Sequence, residues 1–148
     1  MPEPATAYRP SPTGWVRRQV ERIEETGDTR SVHIQNRPVV LLTMRGAKSG
    51  AVRKVPLMRV EHDGVYAAVA SVGGGPKHPQ WYHNLRADPR VEIMDGTHSW
   101  PAVAREISGA EYDEWWERCV AAFPPYADYV VTATQAGRRI PVFLLEAE

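Results

Sequence analysis

The segment Val39-Val40-Leu41-Leu42-Thr43-Met44-Arg45-Gly46-Ala47-Lys48-Ser49-Gly50 sets an unbroken aliphatic and β-branched run against a turn of glycines and cations. Such a run, introduced by Pro38, reads as a buried strand. Beyond the turn, Val52 to Glu61 resumes an extended pattern. His62-Asp63-Gly64 holds an Asp-Gly hairpin dipeptide, and Val65 to Ser71 is expected to pair back. Val91-Glu92-Ile93 alternates, Asp95-Gly96 is a second hairpin signal, and Ser99 to Ile107 returns. Ile140 to Leu145 reads as the last strand. Two hairpins without regular strand–helix alternation argue against a doubly wound parallel sheet. The expected class is α+β, an antiparallel barrel decorated by helices.

Helices occupy the intervals. Trp15-Val16, Gln19-Val20 and Ile23 recur at helical spacing behind Ser11, a candidate N-cap, and before Gly27. Residues 12–26 are therefore expected as a helix after an irregular 1–11 segment. Gly73-Gly74-Gly75-Pro76 breaks the preceding strand, and Pro79 suits the first position of a short helix through Trp81, Tyr82 and Leu85, closed by Asp88-Pro89. Ser108-Gly109-Ala110-Glu111 has capping-box spacing ahead of Trp115, Trp116, Cys119 and Val120. Pro124-Pro125 stops that helix, and Tyr126 to Thr134 forms another. There is no internal repeat and no long linker, so residues 1–148 are expected as one domain.

The 18 basic and 18 acidic side chains cancel, which argues against a nucleic-acid binder. One cysteine, Cys119, makes no internal disulfide and suits a reducing compartment. The longest stretch free of ionisable acids and bases, Gly64 to Pro76, is too short for a bilayer span of about 18 residues. Met1-Pro2-Glu3-Pro4 lacks a signal-peptide pattern, so the expected location is the cytoplasm. The charges are nonetheless segregated. Thr29 to Val60 carries seven bases and no acid, whereas Asp88 to Asp128 carries nine acids and three bases. Folding either intermingles these segments or leaves a local positive field.

Zinc-site spacing, a nucleophile elbow, a Walker loop and a dinucleotide fingerprint are all absent. Three segments carry candidate chemistry. Arg45 to Lys54 joins glycines, a hydroxyl and several cations, the parts of an anion cradle, though a solvated hairpin loop uses the same residues. Ser71 to Leu85 runs from a strand end through glycines into an aromatic-rich helix start. Trp81 and Tyr82 there serve either a planar ligand or the core. Phe123, Tyr126 and Tyr129 repeat every three residues and share a face, as an aromatic lid or as simple packing.

In this order the three segments resemble the deazaflavin-dependent nitroreductase family of actinobacteria, which uses coenzyme F-420 on a split β-barrel related to FMN-binding barrels. The resemblance runs from about residue 38 to the end. It includes the Val39–Gly50 run, Arg53, Pro56-Leu57, Ser71, Gly73-Gly74, Lys77, Pro79, Trp81-Tyr82, Asn84-Leu85 and Ile140-Pro141-Val142. It implies that Ala47, Lys48 and Ser49, with Arg45 nearby, hold the phosphate and polyglutamate tail together with Arg53, Lys54, Val55, Pro56, Leu57 and Met58. It implies that Val69, Ala70, Ser71 and Val72 border the ring, and that Gln80, Trp81, Tyr82, His83 and Asn84 close around it. Tyr126 is implied to lie over ring and substrate. Tyr126, Ser71 and Tyr129 are the implied catalytic donors, and no metal is implied.

Three positions depart from the family pattern. Ala47 stands where a base is common, Val72 where lysine is common, and Phe123 where a tyrosine is common; Arg45 and Lys77 are near enough to replace the two charges. The implied reaction is hydride transfer from reduced F-420 to a quinone, with nitroaromatic reduction as a side activity. The alternatives are an FMN-dependent oxidoreductase and a barrel that binds a cofactor, haem or lipid without catalysis. Monomer and homodimer both remain open, as does peripheral membrane contact through Trp15 and Arg17-Arg18, although Glu21, Glu24 and Glu25 favour packing on the barrel.

Overall fold

The structure is a computed structural model describing residues 8–71 and 77–148. The glycine break at 73–76 and Val72 lie outside the described residues. Seven strands form one curled, wholly antiparallel sheet: β1 (Val39–Arg45), β2 (Val52–Met58), β3 (Glu61–His62), β4 (Val65–Val69), β5 (Arg90–Asp95), β6 (His98–Glu106) and β7 (Val142–Ala147). Their spatial order is β2-β1-β5-β6-β7-β4-β3. Helices α1 (Gly14–Thr26), α2 (Gln80–Ala87), α3 (Gly109–Ala122) and α4 (Tyr126–Gln135) flank it. The architecture is the expected α+β split barrel. No helix among the described residues is long and apolar enough to cross a membrane.

Alternation along the strands sorts the apolar residues into three layers. Val40, Leu42 and Met44 of β1 face the barrel interior with Ile93, Phe143 and Leu145, and α2 plugs that interior with Trp81, Tyr82 and Leu85. Val39 and Leu41 face the other way, under Val20 and Ile23 of α1. Ala67, Val69, Val142 and Leu144 form the outer face that α3 and α4 cover. A strand buried on both faces needs an unbroken apolar run. That is why β1 reads as one.

The pairing of the Val65 run differs from expectation. β3 offers it only Glu61↔Tyr66 and His62↔Val65. β4 lies instead along β7, from Tyr66↔Leu145 to Val69↔Val142. The reason is two-sided burial: Val142-Phe143-Leu144-Leu145 is buried throughout and covers both faces, whereas β2 is half-buried except at Pro56. β2 is thus an edge strand, where the missing N–H of Pro56 is tolerated.

Local signals hold with small displacements. Asp63 (φ 52°) and Gly64 (φ 80°) form the β3–β4 turn, as a primed hairpin requires. In the second hairpin Asp95 pairs with His98, so Gly96 and Thr97 are the turn residues. Helix α1 starts at Gly14 behind Thr13, and Ser11 Oγ accepts from the Thr13 N–H instead of capping the helix. The Ser108 capping box does not form, because Arg105 draws Glu111 into a bidentate pair at 2.8 and 3.0 Å. A two-pronged ion pair outcompetes a single bond to a backbone N–H. The last strand begins at Val142, two residues after Ile140.

Arg59, just past β2, donates to Asp95 at 2.9 Å, and the Tyr66 hydroxyl donates to the same carboxylate oxygen at 2.5 Å. This ties the two sides of the split through β5. Burial, aided by the bond to Asp95, pushes the Tyr66 phenol up to about 12 from 10.0. A folded value above the unfolded one means that this contribution is present below pH 10 and is lost as pH rises through about 12. Asp95→Ala is expected to lower the unfolding free energy by about 2 kcal/mol. In urea denaturation, the alkaline loss of stability should be smaller in Tyr66→Phe than in wild type. An unchanged alkaline profile would show that the phenol is not part of the tie.

Candidate active site

A cleft of about 540 Å³ runs along the open edge of β2, where six consecutive residues, Arg53, Lys54, Val55, Pro56, Leu57 and Met58, line it. Val69 and Ser71 at the end of β4 face it from across the split, with Gln80, Trp81 and Asn84 of α2 and the lid residues Phe123, Tyr126 and Tyr129. The described lining residues include no carboxylate and no imidazole, and their charged members are Arg53 and Lys54.

Thirteen of the site residues expected from the sequence line this cleft, as does Phe123, and eight others lie outside it. Among the cofactor set, Arg45 ends β1 and Ala47, Lys48 and Ser49 lie in the β1–β2 loop; all four stand beside the cleft and do not line it. Part of that loop's backbone is bonded internally: Gly50 N–H donates to Gly46 O at 2.9 Å, Ala51 N–H to Ser49 Oγ at 3.1 Å, and Ala47 N–H to Asn84 Oδ1 at 2.9 Å. Gly50 takes φ 71°, which closes the turn. The Lys48 and Ser49 N–H groups are not among these donors, so the loop offers a ligand those two amides as well as its cationic side chains. Ala70 is buried and donates to Pro141 O at 3.0 Å, while Lys77 and His83 are exposed away from the cleft.

The two readings of the α2 aromatics separate by residue. Tyr82 is buried against His78 and Phe143, its hydroxyl accepting from Arg86 at 2.8 Å, and does not line the cleft. Trp81 packs on Phe143 with ring centres 6.2 Å apart and also walls the cleft. Asn84 is 3% exposed and joins the two halves of the site, since its Oδ1 accepts from both Ala47 N–H and Gln80 Nε2.

The lid is one aromatic cluster. Phe123 and Tyr126 meet edge to face at 4.9 Å, and Tyr129 stands 5.9 and 6.1 Å from them. Pro124 and Pro125 end α3 and start α4, which turns all three rings the same way. Burial holds the Tyr126 phenol above its ordinary value, with lesser contributions from Cys119 and Tyr129. It is a neutral donor at physiological pH. Its hydroxyl makes no hydrogen bond within the protein among the described residues.

The segregated charges are partly dispersed. Arg30, Lys54 and Arg59 pair with Asp28, Glu24 and Asp95. Arg45, Lys48 and Arg53 pair with no carboxylate among the described residues, and they stand at the end of β1, in the loop and at the start of β2. A further wall came from segments that carried no site expectation: Trp15, Ile34 and Gln35 also line the cleft. Gln35 (φ 48°) and Asn36 (φ 62°) form a tight turn closed by reciprocal Ile34–Arg37 backbone bonds. Arg37 then reaches Ala122 O at 3.2 Å, next to the lid. Trp15 is 48% exposed instead of packed on the barrel. Helical periodicity assigned Trp15 to a face, but which face meets the slot depends on how α1 crosses β1.

Curling an antiparallel sheet while leaving one edge open makes a slot for a flat, partly charged group, which puts the chain among split-barrel cofactor-binding proteins. The model of the F420H(2)-dependent quinone reductase family matches residues 15–147. The chain belongs to that family of oxidoreductases, whose coenzyme is F-420. It is 37% identical over 110 residues to an F420H(2)-dependent quinone reductase of Mycobacterium tuberculosis, covering 73% of this chain and 72% of that one. A solved F420-H2 dependent reductase is 52% identical, covers 78% of this chain and 99% of its own, and superposes with TM-score 0.69. A structure described as a domain-swapped dimer is 54% identical, covers 92% and 100%, and gives 0.71.

The slot fits such a coenzyme on its own chemistry. Its volume lies within the usual ligand-pocket range of about 300–1,000 Å³. Met44, Val55, Leu57 and Trp81 supply flat apolar walls, and the cations gather where β1 turns into β2. Asn84→Ala should remove the acceptor that seats Ala47, so amide exchange at Ala47 is expected to speed up by about tenfold or more. Exchange as slow as in wild type would mean the loop holds its shape without α2.

Proposed function

We propose that the chain holds reduced coenzyme F-420 in the split between β2 and β4 and delivers its hydride to a quinone lying against the aromatic lid. One observation carries this reading: a slot with no acid among its described lining residues, cations at the β1–β2 end and unpaired phenol at the lid. A polyanionic tail gains from that field, and no carboxylate among the described lining residues opposes it.

When bound, reduced F-420 supplies the hydride, and one further proton completes the conversion of quinone to hydroquinone. Arg53, with Lys48 and Arg45 beside it, neutralises the phosphate and tail. Lys54 is shared with Glu24 and contributes less. Trp81, Val55 and Leu57 hold the ring flat and keep water from it. Tyr126, neutral and buried, directs its hydroxyl to the acceptor oxygen, with Tyr129 and Ser71 as the neighbouring donors. Nitroaromatics are a second acceptor class for the same slot; Phe123 carries no hydroxyl, so their turnover is expected to be slower than that of a quinone. A relative described as a domain-swapped dimer supports a homodimer for this chain as well.

Titration with F-420 and FMN, followed by oxidation of reduced F-420 with menadione, tests the assignment. F-420 should bind at micromolar concentration and FMN more weakly; no F-420 binding would refute it. Lys48→Ala with Arg53→Ala should weaken F-420 binding by about tenfold in low salt and by less in high salt, because screening removes much of the cationic contribution. Tyr126→Phe should lower turnover by about tenfold or more while leaving coenzyme affinity within a few-fold. Unchanged turnover would remove the hydroxyl from the reaction.

A further inference from the structure

Arg138 follows α4 in the turn before β7 and is 7% exposed, a charged side chain inside the protein. Its guanidinium donates to Ala70 O at 2.8 Å and to Ser71 O, the carbonyls at the strand end bordering the cleft. The same Nη1 stands 2.9 Å from His78 Nδ1, two residues before α2. Arg138 thus joins residues on both sides of the 72–76 segment. Neither Arg138 nor His78 lines the cleft.

The chemistry of this contact is one-directional. A guanidinium has donors only, so Nδ1 of His78 must present its lone pair and the ring proton must sit on Nε2. An imidazolium has no lone pair left to accept, and it would add a second positive charge beside the first. We propose that His78 and Arg138 are a positioning pair for the F-420 end of the cleft, in which neutral His78 orients the guanidinium and the guanidinium seats the Ala70–Ser71 backbone. The role of the seat rests on the coenzyme reading above; the pair itself does not.

The surroundings of His78 set the direction of its titration. Burial lowers its pKa below the ordinary 6.5, the charge of Arg138 and the neighbouring His83 lower it further, Arg86 adds a little, and Glu106 at the end of β6 opposes them. The Tyr82 ring, centred 4.2 Å away, covers its face. A folded value below the unfolded one means the contact is intact above pH 6.5 and is lost as pH falls through the folded value.

The test is nitrogen and amide NMR on the full chain without coenzyme, followed by F-420 binding across the same range of pH. At neutral pH, His78 should show an unprotonated Nδ1, and its midpoint should rise toward 6.5 in Arg138→Met. The Ser71 amide resonance should move with the His78 midpoint in wild type. It should lose that step in His78→Asn, whose carbonyl oxygen can accept from Arg138 but takes up no proton. The Kd for F-420 should rise by about fivefold or more across the midpoint in wild type and stay flat in His78→Asn. A protonated Nδ1 at neutral pH, or a Ser71 step that persists in His78→Asn, overturns the pair even if Arg138→Met fails to fold. Absence of F-420 binding at every pH overturns the coenzyme reading, while the tautomer and the Ser71 step still decide the pair.

Discussion

Burial of single strands on both faces is the constraint on which this molecule depends. β1 sends Val40, Leu42 and Met44 into the barrel and Val39 and Leu41 beneath α1. β7 does the same between the barrel and helices α3 and α4. With about 1.5–3 kcal/mol gained per large aliphatic side chain buried, these two strands anchor all three apolar layers. Their positions then leave β2 at the sheet edge, half-buried and open along one side. The cleft is the consequence of that open edge.

The site is assembled around the opening by a few polar ties. Asn84 couples the β1–β2 loop to α2, Arg37 couples the Ile34–Arg37 turn to the end of α3, and Arg138 couples the end of β4 to the approach to α2. Each tie ends on a backbone group or a neutral ring, so none places a carboxylate in the slot. Glu24 and Asp95 meet Lys54 and Arg59 at its margins. A chain with no net charge thereby keeps a positive field where an anionic tail would lie.

Much of this was legible along the chain. The Val39–Met44 run, the two Asp-Gly hairpin signals and the spacing of Phe123, Tyr126 and Tyr129 are local patterns that appear in the fold at or within a residue of the expected place. Pro79, expected as the first helical residue, is instead the extended N-cap of α2. The larger errors share one origin. The Val65 run lies along β7 because of a partner more than 70 residues away, and Glu111 leaves its cap for Arg105 on a neighbouring strand. Arg138 gave no signal at all, since its acceptors are carbonyls 67 and 68 residues distant.

Backbone chemistry and hydrophobic period act within a few residues, and so the sequence by itself determined the elements, the α+β class and the segments carrying cations, amides and phenols. The expectation of F-420 came from the resemblance of those segments, in order, to a known family. Which strand borders which, which cations stay without acids, and which aromatic walls the slot were decided by tertiary structure alone. Tyr82 and Trp81 are adjacent on one helix, yet one is core and the other lines the cleft. That difference comes from where α2 enters the curled sheet, and the entry is set by packing that no local pattern encodes.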